Sequence, residues 1–348
     1  GLVLLCLLVV LFASGKSGAQ SPLPHEPVVS GAPGNEEPIS SPPPNEPPSF
    51  PGKPFHAPDG PFFTSEPALE TPGALPPGPF ATLETTIVGA HVNNRLINTV
   101  LLEGTFPNTI QLPSTELEAT VSPRFELGYR LPAGYGEFLV SYRFLIASGT
   151  DHILTGLGLG QLRSELNLNV VDLDYASREI CLSPSNSMRW HVGTRLAGVY
   201  FNSNLAVFVL PDNAGGGLAT ERVSNNFLGA GPHLALDLIH KFRSPGAYVF
   251  GRVDAAAVWG SVHQSFGETF TFADFGGQSL GAAVDASKTQ VSPMLGIQFG
   301  LAWTPPAWKC VTFSVGYEFE EWWDVGRAEG SQANVTFQGI FFGTELVF

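Results

Sequence analysis

Apolar and polar residues alternate along most of the chain from about residue 116 onward. A strand places successive side chains on opposite faces, so each alternating run predicts a strand with one apolar face. Glu116–Leu131 puts Ala119, Val121, Phe125, Leu127 and Tyr129 on one face and Arg124, Glu126 and Arg130 on the other. Gly136–Ala147 sets Phe138, Val140, Tyr142, Phe144 and Ile146 against Ser141 and Arg143. Gln161–Tyr175 places Leu162, Leu166, Leu168 and Val170 opposite Arg163, Glu165, Asn167 and Asn169, with a change of phase at Val170-Val171 that predicts a bulge. Similar runs cover Ser187–Phe201 (Arg189, His191 and Arg195 on the polar face) and Phe227–Phe242 (His233 and Asp237). Four more follow: Ala247–Val262 (Arg252 and Asp254), Thr289–Trp303, Lys309–Glu321 (Glu318 and Glu320) and Val335–Phe348. Nine strands are predicted in all.

The connections alternate as well. Pro132–Gly134, Ser183–Asn186, Arg243–Gly246 and Thr304–Ala307 are short and carry Pro or Gly turn chemistry. Ser148–Gly160, Asn202–Asn226, His263–Lys288 and Trp322–Asn334 read as long loops rich in Gly, Asn, Ser and Asp. Short turns at one end and long loops at the other are the pattern of an antiparallel up-and-down barrel whose outer face meets lipid. The expected class is therefore an all-β transmembrane barrel of about ten strands, within a range of 8–12. An odd number cannot close with both chain ends on one side. A tenth strand is expected in Leu83–Glu103, with Thr86–Val92 and Leu96–Leu102 as candidates, unless that poorly patterned stretch folds into the lumen as a plug.

Composition divides the chain further. The apolar run Gly1–Gly15 is too short to span a bilayer as a helix and reads as part of a secretory signal, residues 1–19, with Ser17-x-Ala19 as its cleavage site. Residues 20–82 hold 19 of the 30 prolines. Such a stretch lacks ladder donors, so it is expected to be a disordered, extended periplasmic spacer ahead of a barrel at 83–348. Its partner, if it has one, would be cell-wall material or another periplasmic component. The net charge of −14 argues against nucleic acid. Cys181 and Cys310 fall about four strands apart, beyond disulfide reach, and are expected to be unpaired.

All six tryptophans, Trp190, Trp259, Trp303, Trp308, Trp322 and Trp323, fall at inferred strand ends. Indole favours the membrane–water interface, so they are assigned to an aromatic girdle. The polar faces assign Arg124, Glu126, Arg130, Arg143, Arg163, Glu165, Arg189, Arg195, Arg252, Asp254, Glu318 and Glu320 to the lumen. Arginine dominates the first half of the barrel and carboxylate the second. In a narrow barrel these charges meet and plug the lumen; in a wider one they set a transverse field across a channel.

No catalytic, cofactor or metal constellation stands out. His263-x-Ser265 shares one strand face, as a nucleophile and its base would, with Asn225 or Asn226 as an imaginable third member. Asp172 and Asp174 are two carboxylates, too few for a cation site, and read as a solvated strand end. The histidines show no metal-ligand spacing.

The run Leu162–Tyr175, followed by a turn and Trp190-His191-Val192-Gly193-Thr194-Arg195-Leu196-Ala197, resembles the Legionella-type major outer membrane protein family. Within it the chain resembles the many such barrels of planctomycete genomes, often behind Pro-rich leaders. The resemblance covers roughly 116–348. It implies a pore-forming outer-membrane barrel of unspecified oligomeric state, held in outer-membrane lipid and delivered by the barrel assembly machinery, with no cofactor. The terminal aromatic, Phe348, closing the alternating run Ile340, Phe342, Thr344, Leu346, looks like the assembly signal of such barrels. The function expected is a porin-like passage for small hydrophilic solutes. The alternatives are a plugged structural barrel that anchors the Pro-rich arm and displays its loops, and an outer-membrane hydrolase built on His263 and Ser265.

Overall fold

The computed structural model describes residues 77–101, 107–155, 158–209, 216–243, 246–272, 277–328 and 330–348. The predicted signal segment and nearly all of the Pro-rich spacer lie outside the described residues. Thirteen strands form among the described residues: β1 (Gly78–Arg95), β2 (Asn98–Val100), β3 (Asn108–Ile110), β4 (Thr120–Arg130), β5 (Glu137–Thr155), β6 (Gly158–Ala176), β7 (Ile180–Cys181), β8 (Asn186–Val209), β9 (Gly217–Lys241), β10 (Ala247–Phe272), β11 (Ser279–Trp303), β12 (Val311–Trp322) and β13 (Gln332–Val347). Ten of them make the wall. Each pairs antiparallel with its chain neighbour, β6 pairs with β8, and β1 pairs with both β4 and β13, so the sheet closes on itself.

The tenth strand is β1. It starts at Gly78, inside the stretch assigned to the spacer, and contains the Thr86–Val92 candidate. The other candidate, Leu96–Leu102, is not a wall strand. Its described part leads into the β2–β3 hairpin, which turns inward and buries Leu96, Val100, Ile110 and Leu112 among the inner faces of the wall.

At one end of the barrel, here the terminal end, lie Gly78, Val347 and four tight turns. Gly136 (φ +102°) and Gly246 (φ +82°) occupy two of these turns in a backbone conformation that L side chains rarely adopt. At the opposite, loop end, three of the predicted long loops are corrected. Ser148–Gly160, Asn202–Asn226 and His263–Lys288 are mostly strand, because β5, β6, β8, β9, β10 and β11 run on for 19 to 26 residues. A 26-residue strand rising about 3.3 Å per residue is about 85 Å long. Even tilted, it overshoots an apolar band about 25 Å tall.

The overshoot divides the molecule in two. Near the terminal end the outward residues are apolar: Leu83 and Ile87 on β1, Val192 and Leu196 on β8, Ile297 and Phe299 on β11, Ile340 and Phe342 on β13. That face ends at paired positions, Ile87 opposite Ile340 and Trp259 opposite Val291. Beyond this level the outward residues turn polar, as in Arg163, Asn167 and Asn169 on β6 or Gln332, Asn334 and Gln338 on β13. The inward ones turn apolar: Leu162, Leu166, Leu168, Phe201, Val223, Phe227, Val262, Phe266, Val335 and Phe337 pack as one cluster with the inserted hairpin.

The predicted bulge at Val170-Val171 is therefore absent. β6 keeps one register against β5 and β8 from Gly160 to Ala176. The change of phase is a change of surroundings: the apolar face points out into lipid from Val171 to Tyr175 and in towards a packed core from Leu162 to Val170.

β4 and β12, with 11 and 12 residues, are much shorter than their longest neighbours. Above them the wall is completed by segments without strand pairing. Ser114 Oγ donates to Val92 O at 2.7 Å and Glu118 N to Ser148 O at 2.9 Å above β4. Above β12, Trp323 N donates to Pro293 O at 3.0 Å and Ser292 Oγ to Trp323 O at 2.7 Å.

Candidate functional site

The lumen is the candidate site, and it has two tiers. The tier nearer the terminal end is charged. Its arginines, Arg124, Arg130, Arg143, Arg189, Arg195 and Arg252, are outnumbered by carboxylates: Glu84, Glu126, Glu137, Asp172, Asp174, Asp237, Asp254, Glu318, Glu320 and Glu345. Charges withdrawn from water need partners, and most of these are joined in ion pairs; Glu126 has none among the described residues.

Arg195, 2% exposed, is the central node. It grips Asp172 in a two-pronged pair, Nε to Oδ1 at 2.7 Å and Nη2 to Oδ2 at 2.9 Å, and approaches Asp254 at 3.8 Å. The planar guanidinium fork matches a carboxylate in this way. Its Nη2 also lies 3.2 Å from His233 Nε2. Arginine only donates, so this ring nitrogen accepts and the His233 proton sits on Nδ1, which faces both Asp174 oxygens at 3.0 Å.

Across the barrel, Arg143 of β5 pairs with Glu320 of β12 and stands 4.0 Å from Glu318. Nearer the terminal end, Arg130 and Arg189 share Glu137 at 2.8 and 3.0 Å. Asp237 receives Arg189 at 3.3 Å and His191 at 2.7 Å, with Arg252 at 3.7 Å. Arg124 pairs with Glu84 at 3.2 Å, and Gln298 donates to the same carboxylate at 2.8 Å. Glycines on the inner face make room for these side chains: a Cβ at Gly193 would lie 2.0 Å from Asp174 Oδ1, and one at Gly296 2.3 Å from Asp254 Oδ1. Beside Arg124, Arg252, Asp254, Glu318 and Glu320 is a space of about 10 Å³, room for a single water.

The second tier, towards the loop end, is the apolar cluster described above. Two inserted segments fill it. Thr115 N donates to Ser164 Oγ at 3.1 Å and Asn108 Nδ2 to Glu268 at 2.9 Å, which tie residues 107–119 to the wall, and Ile97 N donates to Ser331 Oγ at 3.1 Å, which ties residues 96–101 to the second insertion. Residues 322–331 contribute Trp322, Val325 and Ala328. Near the mouth Glu221 and Glu268 are cross-strand partners. Burial, and then Glu268, pushes the Glu221 carboxyl up from its ordinary value. At the terminal end, burial works to raise the Glu179 carboxyl, but the hydrogen bond from Lys241 and the Ser187 hydroxyl, together with the charges of Lys241 and Arg189, outweigh it and hold it down.

Ten of the twelve sequence-assigned lumen residues take part in or line the charged tier. Arg163 and Glu165 do not: they lie on the outer face of β6, because their stretch of strand is past the lipid-facing level. Trp322 is a second correction. It is fully buried in the lumen and its Nε1 donates to Glu320 at 2.5 Å, so it caps the charged tier rather than joining a girdle. Trp190, Trp303 and Trp308 are exposed near the terminal end, Trp259 is exposed at the upper limit of the apolar face, and Trp323 lies close to that level.

Asp172 and Asp174 are a third correction. They are buried lumen partners, not a solvated strand end. With His233 their ligand atoms lie within 4.8 Å of one another. Arg195 already occupies Asp172 and faces His233, so the cluster is an ion-pair node and a poor seat for a metal cation. Sequence reasoning also missed Glu84 and Glu137, whose strand positions share the inward parity of the lumen residues.

His263 and Ser265 sit on the outer face of β10 beyond the apolar band, with no hydrogen bond between them. Asn226 is opposite His263 on that face, whereas Asn225 points inward and donates to Val325 O at 3.1 Å. Cys181 and Cys310 are free and exposed.

Residues 140–348 match the family model described as the Legionella pneumophila major outer membrane protein precursor. Among solved structures, the Escherichia coli outer membrane protease OmpT aligns at 9% identity and a TM-score of 0.46, covering 79% of this chain and 99% of that one. The Pseudomonas putida toluene transporter TodX aligns at 8% identity and 0.31, covering 79% and 90%. A Pseudomonas aeruginosa FadL homologue aligns at 8% and 0.24, covering 77% and 89%. At these scores the likenesses carry no argument about substrate or activity. No curated protein sequence matches the chain.

Proposed function

The chain belongs to the Legionella pneumophila major outer membrane protein family, and from that premise we propose that it is an outer-membrane barrel with a closed lumen, whose role is to anchor and display rather than to pass solutes freely. The observation that carries this reading is the occupancy of the lumen. Ion pairs cross it in the lipid-level tier, as Arg143 does to Glu320, and the inserted residues 96–101 and 107–119 pack into the tier above. A barrel of about ten strands is narrow enough for its side chains to meet in this way. The terminal end faces the periplasm in this reading, so that the Pro-rich segment lies there and the long strands project outward from the cell. The exposed Trp190, Trp303 and Trp308 on one side and Trp259 and Trp323 on the other form the two interfacial belts. Outer-membrane lipid and the barrel assembly machinery are the partners this requires.

One observation favours a second reading, a gated cation path. The charged tier holds more carboxylates than arginines, so a lumen opened by withdrawal of the inserted residues 96–101 and 107–119 would attract cations. Planar-bilayer recording of the refolded chain lacking residues 1–19 separates the two. The closed reading expects no steady conductance from protein shown to be folded β-sheet. Ohmic steps whose ion selectivity shifts on Glu318→Gln would replace it with the channel.

A further inference from the structure

The turns of the terminal end repeat one composition. The β6–β8 turn carries Arg178 and the 58%-exposed Leu182; the β9–β10 turn, Arg243 beside the exposed Phe242; the β11–β12 turn, Lys309 beside the exposed Trp308. Each cation is exposed and has no ion-pair partner among the described residues. Lys241, close by, is paired with Glu179. The fourth turn, between β4 and β5, has the exposed Tyr135 and no cation. These three turns follow one another around the rim, so the cations form an arc on a chain whose net charge is −14.

We infer that this arc binds the headgroups of anionic phospholipids. A turn that carries both an exposed apolar side chain and a cation, adjacent at Phe242-Arg243 and Trp308-Lys309 and four residues apart at Arg178 and Leu182, can seat one group in the acyl region and the other on a phosphate. The exposed Leu182, Phe242 and Trp308 continue the apolar outer face that ends at Trp303, Phe313 and Leu346, so lipid already bounds the arc from one side. Residues 20–76 are the competing occupant, with seven carboxylates and one lysine. They would satisfy the cations but give no reason for an apolar residue at every one of the three sites. The inference rests on the membrane placement proposed above, with the terminal end in the leaflet that holds phospholipid.

The test uses the full chain without residues 1–19, reconstituted with phosphatidylcholine alone or mixed with phosphatidylglycerol, and native mass spectrometry to count retained lipids. The wild type is expected to retain phosphatidylglycerol preferentially. The triple variant Arg178→Gln, Arg243→Gln, Lys309→Gln should lose that preference by about fivefold per cation removed. Arg163→Gln with Arg222→Gln, on the outer face towards the loop end, should keep it. Unchanged circular dichroism and heat-modifiable migration establish that each variant is folded. An unchanged preference in the triple variant overturns the inference. So does a preference that appears only once residues 20–76 are deleted, because the arc is then covered by the chain itself. Labelling the exposed Cys310 with a membrane-impermeant maleimide on intact and permeabilised cells checks the orientation separately. Labelling of intact cells would overturn the placement and leave the lipid chemistry measured in vesicles standing.

Discussion

The two halves of β6 carry the same alternation and opposite meanings. From Val171 to Tyr175 the strand turns Val171, Leu173 and Tyr175 outward and Asp172 and Asp174 inward. From Gln161 to Val170 it turns Gln161, Arg163 and Glu165 outward and Leu162, Leu166 and Leu168 inward. Nothing in the backbone changes between them, since one register runs through both. The solvent changes. Lipid rewards apolar atoms on the outside and leaves the inside to paired charges; water rewards the reverse, with the hydrophobic effect acting inward. One barrel thus has a membrane protein's polarity in one half and a soluble protein's in the other. Its lumen is crossed by salt bridges in the first and packed with a hydrophobic core in the second.

The largest break should come at the charged tier. Arg195→Met leaves Asp172 and Asp254 buried without their cation, and the expected loss is about 3–5 kcal/mol. Urea unfolding followed by heat-modifiable gel migration measures it. Adding Asp172→Leu should recover much of that loss, since replacing both members of a buried pair is far milder than removing one. In the apolar tier, Phe201→Ala should cost about 3–5 kcal/mol with no such rescue from a charge change, because what it leaves is a cavity.

The outer faces sharpen the contrast. Ile297→Lys places a cation in lipid and should destabilise by up to about 2–4 kcal/mol, less if the site lies near an interface. Arg163→Leu, outward but in water, should change stability by no more than about 0.5 kcal/mol. Side-by-side unfolding of the two variants checks both.

The smallest effect expected is at the mouth. The fold raises the Glu221 carboxyl and so favours its protonated form. That contribution is fully present below the ordinary glutamate value and is lost as the pH rises through the raised one. Glu221→Gln should therefore be slightly more stable than the wild type at neutral pH and match it in acid. Unfolding midpoints across that pH range measure the difference.

Strand existence was legible because alternation marks a strand whatever surrounds it. The ring closed as parity required, with β1 as the tenth strand. What alternation cannot say is which face is the inside. Arg163 and Glu165 were misplaced because no local signal marks where lipid ends, and the flip at residue 170 imitates a bulge. Trp322 did carry a readable signal: it shares the inward parity of Glu318 and Glu320 on β12, so it could not join an outer girdle. Asp172 and Asp174 did too, alternating as they do with Val171, Leu173 and Tyr175. The inserted hairpin was the harder case. Leu96, Val100, Ile110 and Leu112 lie on short strands of three residues and coil, whose burial depends on distant walls rather than on their own period.

The most direct test of the inversion is a cysteine scan along β6 in a Cys181→Ser, Cys310→Ser background. Positions 162, 163, 166, 167, 171 and 173 would each carry an environment-sensitive fluorophore in proteoliposomes, quenched in turn from water and from lipid. The account predicts that labels at 163 and 167 are quenched from water and those at 171 and 173 from lipid, while thiols at 162 and 166 resist labelling in the folded protein. Lipid quenching at 162 and 166, with 163 and 167 facing the lumen, would contradict it and restore a bulge at residue 170.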